Sequence, residues 1–270
     1  MTKLSIMTKH PLYRIDDRRS LVVPGDTSQT INFCAHHFLK TAQSFIDKQG
    51  YFAVALSGGG TPKAIFQKLA LSHQQEQVDW SKVLLFWGDE RNVPPNHPDS
   101  NYNMAMKAGF AFLPISPQHI FRMPTDKEES LVQGAQKYAE LITTKIPGQC
   151  FDMIMLGVGE DGHTASLFPH TQALHVTDQL VTANFAPTQK AWRMTLTYPC
   201  INAAKNICIY ALGKSKAKIL ETVLCSPLDA ETLPVQAIGT PANPALWFVD
   251  EEASHNIAAL IKQSPMDGSI

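Results

Sequence analysis

The chain has 270 residues, of which 44% are hydrophobic and 17% charged, and its formal net charge is −1. This composition is typical of a globular protein and excludes the disordered and fibrous classes. Because the overall charge is close to zero, an anionic substrate has to be held by a local cluster of cations and backbone N–H groups.

A chain of this length can bury one large core, so we expect a single domain over 1–270, with frayed ends at about 1–12 and 264–270. Residues 1–10 lack the apolar run of a signal peptide, and no later segment reaches the length of a membrane span. We therefore expect a cytoplasmic protein. With no basic stripe or aromatic platform, we expect neither a nucleic-acid nor a membrane partner.

The cysteines are odd in number and show no C-x-x-C spacing. Free cysteine behaves as a small buried hydrophobe, so we expect reduced residues that lie mostly in the core. These residues are Cys34, Cys150, Cys200, Cys208 and Cys225.

Short apolar runs alternate with segments of helical periodicity along the chain. The pattern predicts strands at 51–56, 83–87, 151–156, 206–212 and 245–249, and helices at 29–49, 128–145, 214–224, 251–262 and through 64–69. This alternation predicts an α/β fold with a mostly parallel sheet and helices on both faces. Ligands of such sheets bind outside the carboxyl ends of the strands, where the strand order reverses.

Three consecutive glycines follow the first predicted strand, in the segment LSGGGTP at 56–62. Glycine permits positive φ angles and close approach of the backbone to a ligand, while Pro62 suits the first turn of a helix with Thr61 as its N-cap. Amides at a helix N-terminus bind anions, so we predict a phosphate site. The pattern is neither Walker A nor G-x-G-x-x-G, and a tight turn without a ligand is the alternative.

The segment WGDER at 87–91 follows the next strand and delivers charged side chains to the same edge of the sheet. Arg91 can bind a phosphate through two parallel N–H bonds, and Asp89 can orient a hydroxyl or a catalytic partner. The alternative is a solvated loop whose charges pair with one another. Further along, Asp99 and Ser100 are interpreted as capping residues of a following helix.

The segment GVGEDGHTASLFP at 157–169 is the richest in candidate chemistry. We expect His163 near the start of a helix, whose dipole disfavours imidazolium and leaves a neutral base able to activate water. Asp161 is expected to orient that ring or to hold a substrate hydroxyl. Without a G-x-S-x-G motif a serine nucleophile is not indicated, and Ser166 is assigned to the helix.

Two other readings of this segment stay open. His163 can be a capping or packing residue. A zinc site can be drawn on composition alone, although its members lack recognised ligand spacing. Those members are Glu160, Asp161, His163, His170 and His175.

Taken together, these three segments resemble the signature of the 6-phosphogluconolactonases, and two later segments, WRMTLTYP at 192–199 and LGKSKA at 212–217, agree with it. The resemblance covers residues 13–255. It implies a single-domain, Rossmann-like three-layer α/β/α sandwich, related to glucosamine-6-phosphate deaminases and ribose-5-phosphate isomerases. It also implies hydrolysis of 6-phospho-D-glucono-1,5-lactone, the second step of the oxidative pentose phosphate pathway, with neither metal nor organic cofactor.

The resemblance also implies residue roles. His163 would be the base that activates water, and Asp161 and Asp89 would complete the catalytic set. Arg91 and Lys216 would hold the phosphate with the glycine loop, while Asp89, Asp161 and Arg193 would line the lactone side. The expected binding residues are Ser57, Gly58, Gly59, Gly60, Thr61, Arg91, Arg193 and Lys216. Gly60 stands where many relatives have serine, which removes one hydroxyl donor.

Two rival functions remain. Aminosugar-phosphate deaminases resemble G-H-I-A-F-N-E-P at the third segment, whereas this chain has apolar Phe168 in place of the acid of that motif. A non-catalytic sugar-phosphate sensor would be expected to have lost the base or a cation, and both are present. The expected partner is therefore a small sugar-phosphate lactone, bound by a monomer or a weak homo-oligomer.

Overall fold

The computed structural model describes residues 10–72, 78–126, 130–263 and 265–270. For 265–269 it describes the backbone alone. The strands of these ranges are β1 (Pro11–Arg14), β2 (Arg19–Val22), β3 (Phe52–Leu56), β4 (Val83–Trp87), β5 (Asp89–Arg91), β6 (Met153–Gly157), β7 (Val181–Ala186), β8 (Ala191–Leu196), β9 (Ile207–Ala211), β10 (Ala245–Val249) and β11 (Pro265–Ser269). The α-helices are α1 (Thr27–Gln49), α2 (Gly60–Ser72), α3 (Asn101–Ala108), α4 (Leu131–Lys145), α5 (Tyr198–Asn202), α6 (Ala217–Cys225), α7 (Glu251–Ser254) and α8 (Ala258–Gln263).

The main sheet has the strand order β11-β1-β2-β10-β9-β6-β3-β4. From β2 to β4 all neighbours are parallel, whereas β1 is antiparallel to both β2 and β11. The chain runs outward from β3 to β4 and then returns to β6 on the other side of β3. The strand order therefore reverses between β3 and β6, which is where open α/β sheets bind ligands.

The helices cover both faces of this sheet. Right-handed crossovers place α1 and α2 on one face and α4 and α6 on the other, because the chain advances in opposite directions across the sheet in the two cases. In agreement, α1 packs against α2. Strands β3 and β9 are buried at every position, as expected for strands covered on both sides. The mostly parallel α/β fold is thus confirmed.

A second, three-stranded antiparallel sheet has the order β5-β8-β7. One residue, Gly88, separates β4 from β5. Leu196 of β8 donates its amide to the carbonyl of Gly88 at 2.8 Å. The sequence pattern did not indicate this sheet. The alternative of a solvated loop at 88–91 is wrong, because Asp89, Glu90 and Arg91 pair with Thr195, Met194 and Arg193 of β8.

Most predicted elements occur within a few residues of their expected bounds, and 83–87 and 245–249 coincide with β4 and β10. Residues 251–262 form two α-helices around a short 3-10 turn instead of one helix. The predicted start of the 128–145 helix falls outside the described residues, and α4 begins at Leu131.

The expectation of frayed ends was wrong where the structure describes them. Leu12 lies within β1, and 265–269 form β11, which pairs with β1. Backbone pairing therefore ties the two chain ends together, while 1–9 fall outside the described residues. No helix in the described ranges is long and apolar enough to cross a bilayer.

One buried hydroxyl joins the end of β4 to α4. Tyr138 of α4 accepts the amide of Trp87 at 2.8 Å and donates to the carbonyl of Phe121 at 3.0 Å. Burial raises the pKa of Tyr138 far above its usual range, so the group stays neutral.

We expect Tyr138→Phe to lower the free energy of unfolding by about 1–3 kcal/mol, because the Trp87 amide is left buried without an acceptor. Urea unfolding followed by fluorescence measures the change. Tyr51→Phe, at a partly exposed position, is the control and should stay close to the wild type. An unchanged midpoint for Tyr138→Phe would show that the hydroxyl does not hold β4.

Candidate active site

The three segments singled out in the sequence meet in one cavity of about 250 Å³. They follow β3, β4 and β6, whose carboxyl ends lie side by side at the point of strand-order reversal. The cavity is lined by Ser57, Gly58, Gly59, Gly60, Thr61, Pro62, Asp89, Arg91, Asn101, Gly157, Val158, Gly159, His163, Ala165, Tyr210 and Lys216. All the expected site residues except Asp161 and Arg193 are therefore among the lining residues.

The glycine segment turns the chain from β3 into α2. Gly59 has a φ of 101°, which requires glycine, and α2 already begins at Gly60. The expectation that Thr61 is the N-cap was wrong, because Thr61 lies inside the first turn and Lys63 donates its amide to the carbonyl of Gly59 at 3.1 Å. A Cβ on Gly58 would collide with the side chain of Asn101, so that position is confined to glycine.

Glu90 anchors the second segment from within the core. Its side chain is 3% exposed and accepts four donors: the amides of Arg91, Asn101 and Tyr102 at 2.7–2.8 Å and the Ser100 hydroxyl at 2.9 Å. Burial raises the pKa of this carboxyl, although the four hydrogen bonds oppose that shift. The carboxylate thereby joins β5 to the start of α3, where Ser100 is the N-cap as expected.

The two arginines of the site lie side by side on the small sheet. Arg91 of β5 is directly opposite Arg193 of β8. Arg91 lines the cavity and donates to the carbonyl of Asp99 at 2.6 Å. Burial, and then the positive charge of Arg91, lower the pKa of Arg193. Like charges on facing positions repel, so the pair favours a bound anion.

The third segment brings a carboxylate to the histidine. Asp161 Oδ1 lies 2.5 Å from His163 Nδ1 and accepts the backbone amide of His163 at 3.1 Å. Burial alone would raise the pKa of Asp161, but the hydrogen bond and charge of His163 outweigh it and lower the pKa. The ionised Asp161 therefore accepts a hydrogen bond from Nδ1–H, which leaves Nε2 as the basic nitrogen of the ring.

His163 does not lie at the start of a helix, so the predicted dipole effect was wrong. A bridge between Thr164 and Leu167 closes a tight turn in which Ala165 has a φ of 47°. This turn prevents helical continuation, and Ser166 lies in it. The ring of Phe168 packs against the His163 ring with centroids 4.5 Å apart.

Lys216 reaches the cavity from the turn after β9. Its Nζ donates to the carbonyl of Val158 at 2.9 Å, so the cation is held against the third segment. Asp161, which lies behind the histidine, lines an adjoining groove.

The zinc alternative finds no support in the geometry. His170 and His175 lie 3.6 and 3.4 Å from Glu231, on the exposed surface. Across the part of the chain that the structure describes, no group of three or more His, Cys, Asp or Glu residues is arranged to hold a metal ion.

The sequence interpretation missed the contacts of two buried polar residues of this region. Asn101 donates to the carbonyl of Asp89 at 2.9 Å and to its Oδ1 at 3.1 Å, and Ser166 donates to Asp89 Oδ2 at 2.6 Å. These partners are 12 and 77 positions apart in the chain. No local pattern could have connected them.

Comparisons with known proteins agree with this geometry. Residues 25–247 match the family model described as glucosamine-6-phosphate isomerases/6-phosphogluconolactonase. The 6-phosphogluconolactonase of Chlamydia pneumoniae is 40% identical over 92% of this chain and 93% of its own. That of a Nostoc species is 38% identical over 89% and 99%. The crystal structure of 6-phosphogluconolactonase from Thermotoga maritima has a TM-score of 0.73 at 25% identity, covering 86% of this chain and 99% of its own.

We expect Glu90→Gln to lower the free energy of unfolding by about 1–3 kcal/mol, since the amide of glutamine would face hydrogen-bond donors that the carboxylate now satisfies. Thermal or urea unfolding measures the loss. The control is Glu140→Gln, an exposed change on α4, which should leave stability unchanged. Equal stability of both variants would contradict the anchoring role of Glu90.

Proposed function

Since the chain belongs to the family of glucosamine-6-phosphate isomerases and 6-phosphogluconolactonases, we propose that it hydrolyses 6-phospho-D-glucono-1,5-lactone to 6-phospho-D-gluconate. The single observation that carries the proposal is the joint occurrence of a carboxylate-oriented histidine, two cations and a glycine loop around one cavity. This reaction is the second step of the oxidative pentose phosphate pathway.

The proposed reaction requires few functional groups from the protein. A lactone is an activated ester, so its opening needs a positioned water, a base and donors for the charge that develops on the carbonyl oxygen. In our proposal Nε2 of His163 takes a proton from water as the water oxygen bonds to the lactone carbonyl carbon. The ring C–O bond then breaks, and the leaving oxygen takes up the proton from Nε2, which restores the neutral base. Asp161 holds the imidazole and stabilises its protonated form.

The other end of the cavity suits the phosphate. Its amides at the start of α2 carry the partial positive charge of a helix N-terminus, and Arg91 and Lys216 add full charges. We propose that Ser57 to Thr61, Arg91 and Lys216 hold this group. Arg193, which lies beside Arg91, is proposed to face the lactone side.

We further propose that the chain is one domain acting in the cytoplasm as a monomer or weak homo-oligomer. In support, buried residues of both sheets, including Val54 and Met194, belong to one core cluster. The described cysteines are all free. The proposed chemistry calls for neither a metal ion nor an organic cofactor.

The deaminase alternative predicts an acid where Phe168 stands. In the structure an aromatic ring packs against His163 at that position, so the base lacks that acidic partner. Ammonia release from glucosamine 6-phosphate is the assay that would favour the alternative.

We expect His163→Ala to lower lactone opening by about 10² to 10⁴-fold, the usual contribution of a positioned general base. Glucose-6-phosphate dehydrogenase generates the lactone in place, and acid production is followed above the spontaneous background. The folded state is checked by circular dichroism.

His255→Ala, which changes an exposed histidine, is the control and should keep wild-type turnover. A folded His163→Ala protein with near-normal turnover would refute the role of the base. A wild-type protein that adds nothing to the background would refute the function.

We expect Asp161→Asn to move the acidic limb of the kcat/KM profile to lower pH and to reduce kcat. The pKa of Asp161 is lowered, so the carboxylate is ionised over the working range and stabilises the protonated imidazole. Without that charge the protonated imidazole is less stable. A limb that stays in place or moves upward would show that Asp161 does not act on the base.

A further inference from the structure

The side chain of Asp89 is the meeting point of all three segments around the cavity. It is 7% exposed, and both of its oxygens already accept hydrogen bonds. Oδ1 accepts from Asn101, whose side chain also fills the space above Gly58. Oδ2 accepts from Ser166, three residues after the proposed base. The carboxylate of Asp89 is thus bonded directly to the histidine segment and is linked to the glycine segment through Asn101.

Ser166 is held at every polar group it carries. Besides the bond from its hydroxyl to Asp89, its amide donates to Thr195 Oγ1 at 3.1 Å, and its carbonyl accepts from Asn184 Nδ2 at 2.8 Å. Thr195 is the cross-strand partner of Asp89, so these anchors belong to one rigid sheet. The position of Ser166 is therefore dictated by β5, β7 and β8.

The turn that Ser166 holds is the one that supports the imidazole. Ala165 has a φ of 47°, a conformation that costs a non-glycine residue free energy and persists only when its surroundings enforce it. Phe168 directly follows this turn and packs its ring against that of His163, with the ring centroids 4.5 Å apart. Loss of the Asp89–Ser166 hydrogen bond would let the strained turn relax. The Phe168 ring would then no longer be held against His163.

From this geometry we infer that Asp89 is a positioning residue that acts through Ser166 to place His163. The inference rests on the proposed lactone hydrolysis and assigns Asp89 a role different from the expected one. Its carboxylate holds the turn at 164–167, which directly follows His163, and neither reacts with nor binds the lactone. Asp161, and not Asp89, is the carboxylate that contacts the imidazole.

Four variants of the full chain test this, with kcat, KM and the pH profile measured by the lactone assay. Ser166→Ala should lower kcat about 10- to 100-fold with little change in KM, the effect expected of a small misplacement of the base. Asp89→Ala should match it, and Asp89→Ala/Ser166→Ala should be no worse than Asp89→Ala. Asp89→Asn should stay within about 10-fold of wild type, since its amide can still bond both neighbours.

The matched control is Ser254→Ala, which removes another buried serine hydroxyl that donates to a carbonyl at 3.0 Å, in α7. It should keep wild-type kcat. Three results would overturn the inference: wild-type kcat in Ser166→Ala, multiplied losses in the double variant, or Asp89→Asn as inactive as His163→Ala. The last would mean that the negative charge itself acts on the substrate.

A second readout does not depend on turnover or on Asp89→Ala folding. The ¹H–¹⁵N signals of the His163 imidazole, assigned by their loss in His163→Gln, should shift in Ser166→Ala and stay in place in Ser254→Ala. Unshifted signals in Ser166→Ala would refute the positioning role. A wild-type protein without lactone-opening activity would refute the proposed function alone, because the imidazole signals would still report on Asp89 and Ser166.

Discussion

Parallel pairing of β6 with β3 and of β3 with β4 is the constraint on which the site depends. It sets three carboxyl ends next to one another, so the segments 56–62, 87–91 and 157–169 reach one cavity. Each strand needs only to be apolar enough to be buried on both faces. The chemistry then resides in the segments that follow the strands, where backbone and side chains are free to serve a ligand.

The sequence was most informative where local physics decides the structure. Apolar runs such as 83–87 and 245–249 can only be buried, and they coincide with β4 and β10. The segments 56–62 and 157–169 were located because glycine, histidine and carboxylates in close succession have few structural explanations. The family match to residues 25–247 bears out the resemblance drawn from the same segments.

The errors have a common cause, which is that tertiary contacts overrode local preference. Thr-Ala-Ser-Leu after His163 reads as the first turn of a helix, yet Ser166 is fixed by three partners in β5, β7 and β8. The small sheet was missed because β5 has only three residues and is stabilised by pairing with β8, about a hundred positions further along the chain. Periodicity within a short window carries no information about such pairings.

Arg91 and Arg193 lie opposite each other on neighbouring strands of the small sheet. Guanidinium groups on facing positions repel each other, and burial and then the charge of Arg91 lower the pKa of Arg193. An anion bound beside Arg91 removes this strain, so the folded state and the ligand stabilise each other. The folded protein is thus more stable with an anion bound beside Arg91 than without one.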